Sequence, residues 1–375
     1  MELQVPAVLR VDQISPGDPQ RPAKVPATPR LLLVGEPSPG TSPVQTLVRV
    51  FAERGIDATV MPATKRPDLW VQRARQVDAV VFVAFHLTPD LVWRLEVAAA
   101  ARRPLIRWWV GGDVYSVSTN PHEAEAARRL DVIVSANIVV APHLQAELFH
   151  AGLMAGVIGI PSHRNAYQPV QWDPSIARTV VVYMPSNAAE FYGRGIIEPL
   201  AQANPDKHFH VVCDDRNLLS YLPNVTCYGL VEEMEALYGR SGCLLRMTRH
   251  DGLPRMIQEA HAHGLYVIYN RAFDHCIEAH TFEEAHAALA WVAGQPEANM
   301  RAVEGQRRHD VQREFIEPTL RVVRDACDNL GARPFRAAAK LPAMASRALV
   351  GSLRRQLLPT PADTVGGPQS GRQDG

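Results

Sequence analysis

Short apolar runs separated by amphipathic stretches set the rhythm of this chain. "LLLVG" (Leu31 to Gly35) leads into a helical pattern over Pro43 to Arg54, in which Leu47, Val50 and Phe51 share one face and Gly55 supplies the stop. "ATVM" (Ala58 to Met61), "AVVFVAF" (Ala79 to Phe85), "LIRWWV" (Leu105 to Val110), "VIVSA" (Val132 to Ala136) and "GVIGI" (Gly156 to Ile160) continue the series as predicted strands. A strand that is apolar at nearly every position is buried on both faces, which calls for a parallel sheet with helices on both sides. "PSHRNAYQPVQWDPS" (Pro161 to Ser175) then breaks the alternation with three prolines and no period, as an interdomain linker does.

A second series follows: "TVVVYMP" (Thr179 to Pro185), a helix over Gly195 to Asn204, "HFHVVC" (His208 to Cys213), "VTCYG" (Val225 to Gly229), "CLLRM" (Cys243 to Met247) and "LYVIY" (Leu265 to Tyr269). Helices over Thr281 to Gly294 and Glu297 to Asn329 are expected to close this second unit. The pattern therefore predicts an α/β protein of two tandem, doubly wound, Rossmann-like domains facing each other across a cleft, with ligand at the carboxyl ends of the strands. Boundaries are expected at 1–29 (flexible extension), 30–165 (first domain, acceptor side), 166–178 (linker), 179–300 (second domain, donor side), 301–330 (closing helix) and 331–375 (basic tail).

Composition narrows the class. The 375 residues are 46% hydrophobic and 21% charged, which is globular usage with enough chain for two cores. Lys plus Arg equals Asp plus Glu at 39 each, so no general attraction to nucleic acid is expected and any basic surface is local. Cys213, Cys227, Cys243, Cys276 and Cys327 are odd in number and scattered, which suits free thiols in a reducing compartment. No apolar run approaches the ~20 residues that span a bilayer. The start, "MELQVPAVLRVDQISPGDPQ", lacks the basic and apolar regions of a secretory signal, so the expected location is cytoplasmic.

Candidate chemistry concentrates in "RMTRHDGLPRMIQEAHAHGLYVIYN" (Arg246 to Asn270). Asp251 and Gly252 end a strand-to-helix loop, and Pro254 suits the first turn of the helix that follows. Free N–H groups at such a helix start favour an anion, and Arg246 or Arg249 could complete a diphosphate site. Glu259 projects away from Ile257 and is free to meet ligand, although Arg255 and Glu259 at i,i+4 suit a solvated ion pair equally well. In the first domain "VGEPSPGTSP" reads as a flexible strand-to-helix turn, whose Gly35 and Gly40 are candidates for an acceptor-side edge of the cleft. It has neither the spacing of a dinucleotide fingerprint nor the lysine of a P-loop, which argues against a nicotinamide enzyme. Asp113 in "GGDV" follows a strand near the cleft and is a candidate for substrate contact. His208 and His210 share a strand face, but no third ligand accompanies them or the helical pair His261 and His263, so no metal is expected.

Asp251, Glu259 eight positions later, Ala260 and "HGLYVI" resemble the donor segment of the retaining family 4 glycosyltransferases of GT-B fold, E-G-x-x-x-x-x-x-E-A-x-x-x-G-x-P-V-I. "NVTCYGLVEEMEALYGRSGCLLR" upstream and "RWWVGGDV" (Arg107 to Val114) extend the likeness. What the resemblance implies is sugar transfer from a nucleotide-sugar donor, consumed as substrate with no cofactor, to a glycan or lipid-linked acceptor. By position, Asp251 would hold the hexose, the Gly252 and Leu253 amides the phosphates, and Glu259 the ribose. This chain departs from the family at three places. Asp251 replaces a glutamate, Val110 stands where a histidine is common, with His86 as its possible substitute, and Arg194 alone represents the usual Arg and Lys pair. Arg194 and Arg246 are thus both candidates for the phosphates. A GT-B-like protein that binds saccharide or a partner without catalysis is the alternative.

The segment Arg333 to Pro359 carries six basic residues and no acidic one. Wound as a helix, it sets Arg333, Arg336, Lys340, Arg347 and Arg354 broadly opposite Leu341, Leu349, Leu353 and Leu357. That arrangement suits peripheral contact with the inner face of an anionic membrane, whereas Pro342 and Gly351 interrupt it and favour a solvated tail.

Overall fold

The computed structural model of the chain describes residues 28–35, 42–61, 66–84, 86–161 and 169–329. Gly40 and the Arg333 to Pro359 segment lie outside the described residues. Two six-stranded parallel sheets form the molecule. The first contains β1 (Leu31–Val34), β2 (Ala58–Val60), β3 (Ala79–Val83), β4 (Leu105–Trp109), β5 (Ala136–Val139) and β6 (Gly156–Val157), in the order β2-β1-β3-β4-β5-β6. The second contains β7 (Thr179–Tyr183), β8 (His208–Val212), β9 (Val225–Cys227), β10 (Cys243–Arg246), β11 (Tyr266–Tyr269) and β12 (Cys276–Glu278), in the order β12-β11-β10-β7-β8-β9.

The apolar strands are buried on both faces because alternate side chains feed separate helix layers. Leu31 and Leu33 join one cluster while Leu32 and Val34 join another. In the second domain Val180 and Val182 face one layer and Val181 the other. Strand order reverses between β1 and β3 in the first sheet and between β7 and β10 in the second. Such switch points open crevices at the carboxyl ends of the strands, and the loops after β3, β4, β7 and β10 carry most of the candidate residues.

Three elements differ from the sequence reading. The strand expected at Val132 to Ala136 lies at Ala136–Val139, and Val132 is 52% exposed just past the helix Pro121–Asp131. The shift brings Asn137 into the sheet, where its Oδ1 accepts from Arg107 Nε at 2.8 Å and Trp109 Nε1 at 3.1 Å. Polar Asn137 therefore marks strand rather than strand end, because buried Arg107 needs a partner at that position. β12 was not expected from its three-residue pattern.

The third difference concerns the helix expected over Glu297 to Asn329. It is two helices, Met300–Arg307 and Glu317–Asp328, joined through a π-helical turn at Gln312–Ile316. The last helix does not close the second domain. Phe315, Ile316, Val323, Ala326 and Cys327 belong to the first domain's core, and Phe315 stacks on Phe51 and Trp108 with ring centroids 5.6 and 5.7 Å away. The chain thus crosses back over the cleft to finish the domain it began.

Candidate active site

The loop after β10 is built to meet the other domain. Thr248 N–H donates to Asn270 Oδ1, Asn270 Nδ2 donates to the Thr248 carbonyl, and Thr248 Oγ1 donates to the His250 carbonyl, which pins the loop to the end of β11. Asp251 and Gly252 follow, then the helix Arg255–Ala262 with Pro254 as its cap residue. Arg246 at the end of β10 is 7% exposed and donates from Nε to Asp251 Oδ2 at 2.5 Å, while the Gly252 N–H donates to Asp251 Oδ1 at 3.0 Å. One carboxylate thus takes both the arginine and the amide of the loop that leads into the helix.

The Arg246 guanidinium also lies over the rings of Tyr183 and Tyr192, 5.0 and 5.9 Å from their centroids. Burial alone would lower its pKa, but the charge and hydrogen bond of Asp251 outweigh this and hold it above the usual arginine value. Burial pushes both phenols up. The arginine is therefore a fixed cation with aromatic walls, sited at the switch point of the second sheet.

Across the cleft stands the turn after β4. Gly111 has φ +147°, and a β-carbon on Gly252 would fall 1.7 Å from the Val110 carbonyl oxygen. Asp113, 1% exposed, accepts from the N–H groups of Val110 at 3.0 Å, Gly111 at 2.9 Å and Val114 at 2.9 Å. Burial raises its carboxyl pKa against the pull of the Gly111 amide. Its acceptor capacity goes to its own loop, so the substrate contact expected of Asp113 is not the role this geometry gives it. It shapes the Val110–Gly111 turn instead.

The other expected residues distribute unevenly. His86 is exposed beyond β3, its Cε1 3.5 Å from the place of a Gly112 β-carbon, on the same wall as Asp113. Gly35 is buried with no room for a side chain beside Val44 and the Val83 carbonyl. Glu259 accepts from the Tyr238 hydroxyl at 3.0 Å. Leu253 packs between the domains, its Cδ2 3.0 Å from a β-carbon placed on Gly159. Arg249 is exposed, and its backbone is tied by N–H to the Phe191 carbonyl at 2.8 Å. Arg194 pairs with Glu198 on its own helix, Arg194–Ala203, at 2.9 Å. Of the two arginine candidates, Arg246 shares the loop with Asp251 and Gly252.

Several cleft residues escaped the sequence reading. His143 and Glu147, on the helix Pro142–His150, reach across to the Asp251 carbonyl and to His250. Thr46 receives a hydrogen bond from Arg255 Nη1 at 2.6 Å. A row of rings runs from Tyr183 through Tyr192 and Phe191 to Tyr115 and His250, with neighbouring centroids 5.0 to 5.5 Å apart. Nothing in the local pattern singles out His143, Glu147 or Thr46, whose partners lie on the other domain.

His208 and His210, with ring centroids 4.8 Å apart, hydrogen-bond to Thr226 and Tyr228. Among the described residues no group of three His, Cys, Asp or Glu side chains could hold a metal ion, and all five cysteines are free. No described helix is long and apolar enough to cross a membrane.

The two facing sheets form a GT-B fold, the one that solved glycosyltransferases share. Anabaena Alr3699/HepE, solved in complex with UDP and glucose, superposes with a TM-score of 0.58 at 15% identity, covering 81% of this chain and 100% of that one. An α-glucosyltransferase in complex with UDP and a 13-mer DNA containing an HMU base gives 0.58 at 10% identity, covering 79% and 99%. TarM gives 0.50 at 10% identity, covering 68% and 58%. At these identities the likeness carries the fold. No family model matches the chain, and no curated protein matches its sequence.

Proposed function

We propose that this chain is a retaining glycosyltransferase of the family 4 kind, acting in glycan or polysaccharide biosynthesis. It takes a hexose from a nucleotide-sugar, with a UDP-sugar as first choice, on the second domain, and passes it to a glycan or lipid-linked acceptor on the first. The observation that carries the reading is the convergence of Arg246 and the Gly252 amide on one carboxylate at the switch point of the second sheet. Two donors that hold a carboxylate will hold a phosphate.

A donor diphosphate takes over those two donors, and Asp251 turns to the hexose hydroxyls. As the bond to the leaving phosphate breaks, negative charge gathers on its oxygens beside Arg246 and the Gly252 and Leu253 amides, which stabilise it without reorganising. Glu259, beside the Tyr238 hydroxyl, accepts from the ribose. His86 stands on the opposite wall, beside Gly112, and takes the role that Val110 leaves unfilled. The nucleotide-sugar is consumed as substrate, and the reaction draws on no metal. The work is cytoplasmic, with the Arg333 to Pro359 segment touching an anionic membrane face. UDP is supported by the nucleotides that HepE and the α-glucosyltransferase hold on the same fold.

The test is thermal shift with UDP, GDP, ADP and their sugars, followed by a donor-hydrolysis screen, since a ligand bound to the folded state raises its melting point. If no nucleotide moves the melting point, the reading is lost. Val110 at the histidine position and the Arg246–Asp251 pair favour a second reading, a GT-B-like binding protein without catalysis. It expects weak or absent nucleotide binding and no hydrolysis of any donor.

A further inference from the structure

Helix Pro142–His150 of the first domain presents His143 and Glu147 at i,i+4, hence on one face. That face meets the loop after β10. His143 Nε2 lies 2.9 Å from the Asp251 carbonyl oxygen, and since a carbonyl only accepts, Nε2 carries the proton and donates. His250 Nε2 donates to Glu147 Oε2 at 2.7 Å, with the His250 side chain 5% exposed and that of Glu147 27% exposed. Tyr115, on the first domain's helix Gly112–Thr119, packs its ring 5.0 Å from that of His250. Two side chains of one domain therefore grip two consecutive residues of the other.

The grip is next to a close backbone contact between the domains. Asp251 is held through its backbone carbonyl while its side chain serves Arg246, and Gly252 follows directly against Val110 and Gly111. Residue 251 carries the Gly252 amide with it, so the clasp sets where both stand relative to the Val110–Gly111 turn. The Glu147 carboxylate faces His250, His143 and Arg271; burial works to raise its pKa, and these neighbours outweigh burial and hold it below the usual value. It is thus a charged acceptor, worth more to His250 than a neutral one.

We propose that His143 and Glu147 are positioning residues, forming a clasp that sets the Asp251–Gly252 loop against the Val110–Gly111 turn and so completes the donor site only when the domains are shut. This rests on the reading of that loop as the donor loop. A nucleotide bound to the second domain alone needs Arg246, the Gly252 amide and Glu259, all of which that domain carries itself and holds through its own bonds. The transition state needs both walls. Loss of the clasp therefore falls on turnover rather than on nucleotide affinity.

The experiment compares the full chain with its His143→Ala, Glu147→Ala and Glu147→Gln variants by hydrogen exchange, UDP calorimetry and donor turnover. In the two alanine variants the amides of residues 109–114 and of residues 247–253 are expected to exchange faster together. A merely local role would loosen helix Pro142–His150 and leave residues 109–114 protected. kcat should fall roughly tenfold in Glu147→Ala, the scale of one hydrogen bond to a charged group, and less in His143→Ala, whose partner is a neutral carbonyl, with UDP affinity within threefold. Glu147→Gln, which still accepts from His250, should recover most of both losses. Unchanged exchange at residues 109–114 in both alanine variants would overturn the clasp, as would turnover equal to that of the unaltered protein. If the unaltered protein binds no nucleotide, the donor reading fails by itself, and the exchange measurement still decides the clasp.

Discussion

Gly252 and Val110 meet backbone to backbone across the cleft: no side chain fits on Gly252, because its β-carbon would overlap the Val110 carbonyl oxygen at 1.7 Å. Gly252→Ala must therefore either part the domains or distort the loop that carries Asp251. Overpacking of this kind costs about 1–3 kcal/mol, and the melting temperature should drop with donor turnover. Gly229→Ala is the control, since nothing lies within 4 Å of a β-carbon there. Equal melting curves and equal turnover for the two variants would show that the domains do not close on Gly252.

Glu259 carries the ribose contact in the proposed donor site. Glu259→Ala should weaken UDP binding by roughly tenfold or more, the expected loss of a hydrogen bond to a charged acceptor. Tyr238→Phe removes only the hydroxyl that donates to Glu259 at 3.0 Å and should weaken binding less. Calorimetry with UDP orders the two variants, and the reverse order would relocate the nucleoside.

Arg107 was part of the segment that resembles a glycosyltransferase motif, yet the structure gives it a scaffold role. It is fully buried in β4, donating to Asn137, to the Ala127 carbonyl at 3.2 Å and to Asp131 at 2.5 Å, with its guanidinium 4.9 Å from the centre of the Trp109 ring. Burial lowers its pKa to about 10 against the pull of Asp131, so it stays charged at neutral pH. Arg107→Met should cost about 3 kcal/mol or more by stranding these partners and should leave UDP affinity unchanged. Denaturant unfolding and calorimetry on one sample separate the two effects.

Acid should weaken the second domain through His261. This side chain is wholly buried, and burial drives its pKa from 6.5 to about 3. The unfolded chain takes up the proton first as pH falls, so the contribution is intact above 6.5 and is lost progressively between 6.5 and 3. By about pH 5 this amounts to ~2 kcal/mol. His210, which burial lowers to about 4, acts in the same direction. His261→Phe should flatten the dependence of urea midpoint on pH without abolishing it, and an unchanged slope would assign the effect elsewhere.

The two-sheet architecture was legible because buried parallel strands need near-continuous apolar residues, and "LLLVG", "AVVFVAF" and "TVVVYMP" supply them. β5 is hard to place because its Asn137 looks polar in sequence and is buried through partners distant in the chain, Arg107 and Trp109 among them. Asp251 and Gly252 stood out through turn chemistry and motif spacing. His143, Glu147 and Thr46 did not, since their partners lie on the other domain and leave no trace in local pattern. Arg194 and Arg246 look alike as letters, and only the Glu198 and Asp251 partners tell them apart.

Because Phe315 fills the space between Phe51 and Trp108, the first domain is sealed by residues from near the far end of the described chain. On a ribosome, β1 to β6 emerge without that plug, while the second domain has all six of its strands by Glu278. The half made last is therefore the half that can finish folding first. The half made first waits with the apolar surface around Phe51 and Trp108 open until the returning helix arrives, which makes that surface the place where a chaperone would hold the nascent chain.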